Sequence, residues 1–235
     1  MAINLPEFSI GFPVHTEADA SADHRQIQAA RRWPGFYRNL VKRGFDLLLI
    51  LAAAPVVIPI VAGLAVAVAR EGGNPFYSQK RLGRGGKTFR MWKLRSMVND
   101  ADARLVDFLA AHPDSRLEWD QTQKLKNDPR ITGFGAFLRR SSLDELPQLW
   151  NVLTGEMSLV GPRPMLPCQQ SMYPGLAYYA LRPGITGAWQ TAGRNKTSFE
   201  ARAGFDTDYA EKLTLRTDLT ILLRTVGVVL KGTGC

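Results

Sequence analysis

The sequence predicts an α+β fold, mostly α, made of a membrane-seated helix and one small globular part. Three observations carry that prediction. Leu47 to Ala69 is a run of 23 residues without a charge. Pro75 to Met97 reads as short strands about a Gly83–Gly86 turn, and two later stretches, Asn99–Ala111 and Tyr209–Leu230, place apolar residues at helical spacing. At 235 residues the chain has room for one globular domain and an appendage.

Taken in chain order, residues 1–30 lack sustained apolar periodicity and read as a mobile tail. The next segment, 31–72, holds the membrane elements. Trp33, Phe36, Tyr37, Leu40 and Val41 lie among basic residues, as in an amphipathic interfacial helix. The uncharged run that follows is long enough to cross a hydrocarbon core, at 1.5 Å per helical residue. Two features favour entry and return instead. Pro55 and Pro59 sit in its middle, where each removes a backbone donor and bends the axis. Positive charge also lies on both sides, so both ends prefer the cytoplasm. A helix broken at Pro55 satisfies both constraints. Glu71-Gly72-Gly73-Asn74-Pro75 then breaks the structure and opens the globular part, 73–235.

The formal charge is +9, which calls for an anionic partner. Its placement selects among partners. Six basic residues and no acid lie between Arg25 and Arg43, and eight against the single Glu71 lie between Arg70 and Arg95. Both clusters flank the apolar run, which fits an anionic leaflet rather than nucleic acid. Cys168 and Cys235 give no disulfide framework, and His15, His24 and His112 lack zinc-ligand spacing. Gly86-Lys87-Thr88 resembles the end of a P-loop, but the glycine required six positions earlier is Arg81.

The densest chemistry lies between Arg139 and Pro164. An adjacent Asp144–Glu145 pair is set between Arg139/Arg140 and Arg163. Guanidinium groups favour the ionised carboxylate and grip phosphate two bonds at a time. Carboxylates beside phosphate clamps suit phosphoryl transfer, with an acid as nucleophile or metal ligand. A structural account competes: Ser142-x-x-Glu145 fits a capping box, with Pro147 as its complication. Arg163, between Pro162 and Pro164, has little freedom left to lose on binding an anion. Arg182-Pro183-Gly184 repeats that design or forms a plain turn. The apolar stripe of Leu213, Leu219, Leu222, Leu223, Val226 and Val229 reads as core.

The central run closely resembles the signature of the bacterial sugar transferases, the monotopic phosphoglycosyl transferases that begin glycan assembly on a membrane lipid. The likeness extends over Lys42-Arg43-Gly44-Phe45-Asp46, Phe76 to Gly83, Phe89 to Met97, Asp128 to Thr132 and Leu181 to Gly187. It covers roughly residues 40 to 230, in the family's order. The resemblance implies a re-entrant helix on the cytoplasmic face of the bacterial inner membrane, although the family's Ser-Pro pair at the bend reads Ala54-Pro55 here. It implies transfer of a sugar 1-phosphate from a UDP-sugar donor to undecaprenyl phosphate, releasing UMP, as the first membrane step of exopolysaccharide biosynthesis.

Residue by residue, Asp144 matches the nucleophile and Glu145 the acid that holds Mg²⁺. Arg139 and Arg163 match phosphate-binding arginines, and Asp218 a further active-site acid. Lys42, Arg43 and Asp46 stand where a lipid phosphate would arrive, or serve as snorkelling anchors. The compact chain most resembles the branch using UDP-galactose or UDP-glucose, with an acetamido sugar open. Two other readings remain: a basic membrane-anchored binding module without chemistry, and a sugar-nucleotide hydrolase. Nothing in the sequence sets the oligomeric state.

Overall fold

The computed structural model describes residues 35–122, 125–192 and 199–230. The tail expected at 1–30 lies outside them, as do the first residues of the expected interfacial helix. The described chain is mostly helical with four short strands, as the α+β prediction requires.

Helix α1 spans Lys42–Arg70, led in by a π-helical turn at Tyr37–Val41. Helical conformation continues through Pro55 and Pro59, so the break expected at Pro55 is not an unwinding of the backbone. Both ends of α1 are seated on the globular part. At the first, Arg43 donates to the carbonyls of Val152 and Leu153, Asp46 accepts from Ser158 Oγ at 2.7 Å, and Ile50 packs with Phe89, Met91, Val152 and Met157. At the other, Val68 packs fully buried against Leu94 and Leu138, and its carbonyl accepts from Arg95. Between them Leu51, Val56, Ile58 and Ile60 are exposed, which is costly for aliphatic side chains in water. Gly72 and Gly73, at φ of 89° and 77°, supply the left-handed turn that ends the helix.

The predicted hairpin is present. Strands β1 (Phe76–Leu82) and β2 (Thr88–Leu94) pair antiparallel from Phe76↔Leu94 to Leu82↔Thr88, and the turn carries Gly85 and Gly86 at positive φ. Helices α2 (Ala101–Ala111), α3 (Pro113–Thr122), α4 (Gly133–Ser141) and α5 (Gln148–Thr154) follow. As expected, Leu109 of α2 is buried. Fully buried Asn151 of α5 accepts from Trp92 N and donates to Arg90 O, fastening that helix to the free edge of β2. Strands β3 (Ser158–Val160) and β4 (Gly184–Thr186) pair in parallel. Gly161 passes so near the Arg182 carbonyl that a Cβ there would overlap it.

The short helices α6 (Ala177–Ala180) and α7 (Ala188–Ala192) precede α8 (Arg202–Glu211) and α9 (Leu215–Leu230). Tyr173, Tyr178 and Tyr179 meet edge-on at the centre of one core cluster with Leu82 and Met165. Helix α9 meets the sequence expectation in part. Leu222, and Leu213 just before the helix, pack on the core beside buried Asp218 and Ile221, whereas Leu219, Leu223 and Val226 of the expected core stripe are exposed. Leu215, Leu219, Leu223 and Val226 recur at helical spacing and form a second unpartnered apolar surface.

Candidate active site

Helix α4 begins on the Thr132 hydroxyl, which accepts from Gly135 N at 2.9 Å. It ends at Ser142, in the left-handed region at φ 58°. That reversal starts a single 3₁₀ turn, Leu143–Glu145, which carries Asp144 inward to 7% exposure. The capping box does not form. Ser142 makes no side-chain cap bond, and the next helix starts three residues after Glu145 with Pro147 as its cap, where the missing N–H costs nothing. The acid pair is therefore free of helix-capping duty.

Its partner is Lys93. The ammonium lies 2.8 Å from Glu145 Oε1 and 3.3 Å from Asp144 Oδ2. Burial pushes the Asp144 carboxyl above the usual range. Lys93 opposes that first and Arg139 least, while neighbouring Glu145 adds to it. The expectation that arginines hold Asp144 ionised is corrected here: the principal cation is a lysine, and desolvation outweighs it. Arg139 approaches from the last turn of α4, its Nε donating to Ser96 Oγ at 2.8 Å. Lys93 lacked weight in the sequence, although strand alternation offered a signal: it lies on the same side of β2 as buried Phe89 and Met91.

Arg163 stands in a second group. Its carbonyl accepts from Arg202 Nη2 at 2.7 Å, and the Pro164 carbonyl accepts from Arg81 Nη1 at 3.3 Å. Arg202 is buried between the rings of Trp189 and Phe199, 5.0 and 4.8 Å from the ring centres. Burial, and then the charge of Arg163, hold Arg81 below the usual arginine range. Three guanidinium groups thus converge about the Pro-Arg-Pro loop. Arg81 and Arg202 are the residues that sequence reasoning missed.

The third group contains four residues expected near substrate. Asp218, fully buried, accepts from Tyr37 at 2.8 Å, Lys42 at 2.7 Å and Tyr209 at 2.5 Å. Asp46 accepts from Ser158 and the Leu159 amide, and Arg43 closes the C-terminal end of α5. The structure places Asp218 with the root of α1, where its donors are protein side chains, rather than with Asp144. Lys42 and Arg43 correct the anchor expectation as well: neither snorkels, since both charged ends bind within the protein. Pro55 lies on the exposed middle of α1, away from all three groups.

Among the described residues no cluster of three or more His, Cys, Asp or Glu is built to cage a metal. The donor set still fits Mg²⁺ of the substrate-bridged kind, which takes one or two carboxylates and completes its shell with phosphate oxygens and water. Glu145, with Asp144 beside it, offers that set.

The chain thus carries a long apolar helix rooted on its globular part, an acid pair set against Lys93 and a converging set of guanidinium groups. The bacterial sugar transferase family model matches residues 37–232, and the chain belongs to that family. It is 47% identical over 198 residues to the UDP-galactose-lipid carrier transferase of Erwinia amylovora, covering 83% of this chain and 42% of that protein. It is 44% identical, with the same coverage, to the undecaprenyl-phosphate galactose phosphotransferase of Salmonella typhimurium. The exopolysaccharide production protein ExoY of Rhizobium meliloti is 41% identical over 83% of this chain and 88% of its own length. The chain therefore spans about two fifths of the first two relatives and most of the third.

Proposed function

We propose that this protein transfers a sugar 1-phosphate from a UDP-hexose to undecaprenyl phosphate, as the first membrane step of exopolysaccharide biosynthesis. The observation that carries the reading is the buried Asp144, released from capping and set against Lys93 beside Glu145. In the first half, an Asp144 carboxylate oxygen attacks the β-phosphorus of the donor. The bond from that phosphorus to the bridging oxygen breaks, and UMP leaves with the oxygen and its electron pair. In the second, a phosphate oxygen of the acceptor attacks the same phosphorus. The acyl–phosphate bond breaks, Asp144 is regenerated and a diphosphate-linked lipid sugar departs.

Lys93 opposes the desolvation of the nucleophile, Arg139 and Arg163 draw the donor phosphates toward it, and Arg81 and Arg202 hold the Arg163 loop still. Glu145 would hold Mg²⁺, which would supply positive charge to the diphosphate. Galactose and glucose are the favoured sugars, since relatives bear the names of galactose and glucose transferases.

The same reading seats the protein on the cytoplasmic face of the inner membrane. Both ends of α1 rest on one small domain while its apolar middle stands exposed, which supports a helix that dips into the bilayer and returns, bowed near Pro55 and Pro59. The exposed stripe of α9 lies against the same interface.

Purified protein with undecaprenyl phosphate, Mg²⁺ and a panel of UDP-sugars tests the function by UMP release. Repeated turnover is expected only in the complete mixture, with at most one UMP per chain when lipid is left out, and Glu145→Gln should lower turnover by about 100-fold or more, since an amide is a poor Mg²⁺ ligand. Catalytic release without lipid would make the protein a hydrolase, and none with any UDP-sugar would leave a binding module.

A further inference from the structure

The charged ends of Lys42 and Arg43 are used inside the protein, so a different group must present positive charge at the root of α1. One turn earlier, Arg38 is 7% exposed, yet its Nη1 has no hydrogen-bond partner among the described residues. A buried guanidinium N–H without an acceptor is a costly arrangement. Arg38 lines a cleft shared with Arg84 and Arg182. Arg84 and Arg38 both donate to Asn39 Oδ1, at 3.1 and 3.4 Å, and Arg182 Nε donates to the Gly155 carbonyl at 2.9 Å.

The carboxylate on the cleft wall, Asp46, already accepts from Ser158 and Leu159 and offers these arginines little. Burial and the charge of Arg38 lower the Arg84 pKa. Burial, then the charges of Arg84 and Arg43, lower that of Arg182. Among the described residues, three guanidinium groups meet with only Asp46, already bonded, as a nearby carboxylate.

We propose that Arg38, Arg84 and Arg182 bind the phosphate group of a membrane lipid, at a site distinct in its residues from the Asp144–Lys93 pair. Guanidinium forks match phosphate oxygens two bonds at a time. The cleft floor admits a group about the size of a water molecule, so a phosphate oxygen reaches Arg38 and a nucleotide sugar does not. Phe36 and Leu40, 74% and 63% exposed, flank Arg38 along the chain and set it at headgroup depth. The phosphate belongs to an anionic bilayer phospholipid or to the acceptor lipid. The second source rests on the transferase reading.

Vesicle flotation of the full chain tests the site at about 0.5 M salt, where exposed charges are largely screened and buried ones less so. The vesicles are phosphatidylcholine alone, or phosphatidylcholine with phosphatidylglycerol or with undecaprenyl phosphate. Wild type should prefer at least one anionic mixture. Arg84→Gln, at the half-buried mouth, should lose about fivefold of that preference, and Arg84→Gln with Arg182→Gln more, while still floating on the apolar helix. A charge-matched control, Lys80→Gln with Arg90→Gln, should keep it. Equal binding of the two anionic lipids at matched charge identifies bulk phospholipid, and preference for undecaprenyl phosphate identifies the acceptor. An unchanged preference in the double variant, or an equal loss in the control, overturns the site. Asp144→Asn should retain the lipid preference. If UDP-sugar is never turned over yet the Arg84-dependent preference persists, the transferase reading falls and the phosphate site stands.

Discussion

Asp144 and Glu145 were visible in the sequence because two acids among arginines are a local pattern. Lys93 was not, because the pairing crosses 51 residues and depends on which side of β2 faces the 3₁₀ turn. Asp218 was visible as an acid, but its partners were not, since only the fold shows Tyr37, Lys42 and Tyr209 converging on it. Asp206 shows what such burial does to a carboxyl. It accepts from Tyr173 at 2.8 Å, and burial pushes its pKa up to about 6. The folded carboxyl then binds a proton more strongly than the unfolded one, so its stabilising contribution is complete below about pH 4 and is lost as pH rises through about 6. A shift of roughly two units corresponds to something on the order of 3 kcal/mol. Thermal melts should therefore show wild type losing several degrees relative to Asp206→Asn between pH 5 and pH 7.5. A difference that does not change with pH would show that Asp206 does not titrate in this range.

Elements with local causes followed the sequence. The β1–β2 hairpin formed about its glycines, and Asn99–Ala111 gave a helix from Ala101 with Leu109 inward. Elements set by long-range packing followed it only in part. Helix α9 keeps Leu222 against the core but turns Leu219, Leu223 and Val226 outside and Asp218 inside, a split that periodicity alone did not indicate. The capping box failed because Ser142 is spent on reversing the chain after α4. Helix α4 itself carries a testable constraint. Alanine normally improves a helical glycine by about 1 kcal/mol, but a Cβ at Gly135 would overlap the Ser96 backbone carbonyl. Gly135→Ala should destabilise the protein by roughly 1–3 kcal/mol in denaturant unfolding, and should lower activity because Ser96 also holds Arg139. A gain in stability would show that the contact relaxes freely.

On the scale of the whole molecule, the proposed membrane seat rests on a formal charge of +9, an exposed apolar helix middle and the exposed α9 residues. Charge on both sides of the apolar run suggested a return to the same side, which the proposed seating adopts. Cysteine labelling decides the topology. In a chain with Cys168 and Cys235 replaced by serine, single cysteines at Ala20 and Asp120 should both resist an impermeant reagent in intact cells and react after lysis. Labelling at Ala20→Cys alone from outside would make α1 a single crossing.

The central claim is that one chain runs two half-reactions through Asp144, and trapping the intermediate tests it most directly. Protein incubated with Mg²⁺ and UDP-sugar labelled in the sugar, without lipid, should acquire sugar phosphate as an acyl phosphate, up to one per chain. The label should leave on addition of undecaprenyl phosphate, which becomes labelled, or of hydroxylamine, and it should never appear on Asp144→Asn. Wild-type turnover by Asp144→Asn, or transfer to lipid with no label ever held by the protein, would contradict the account.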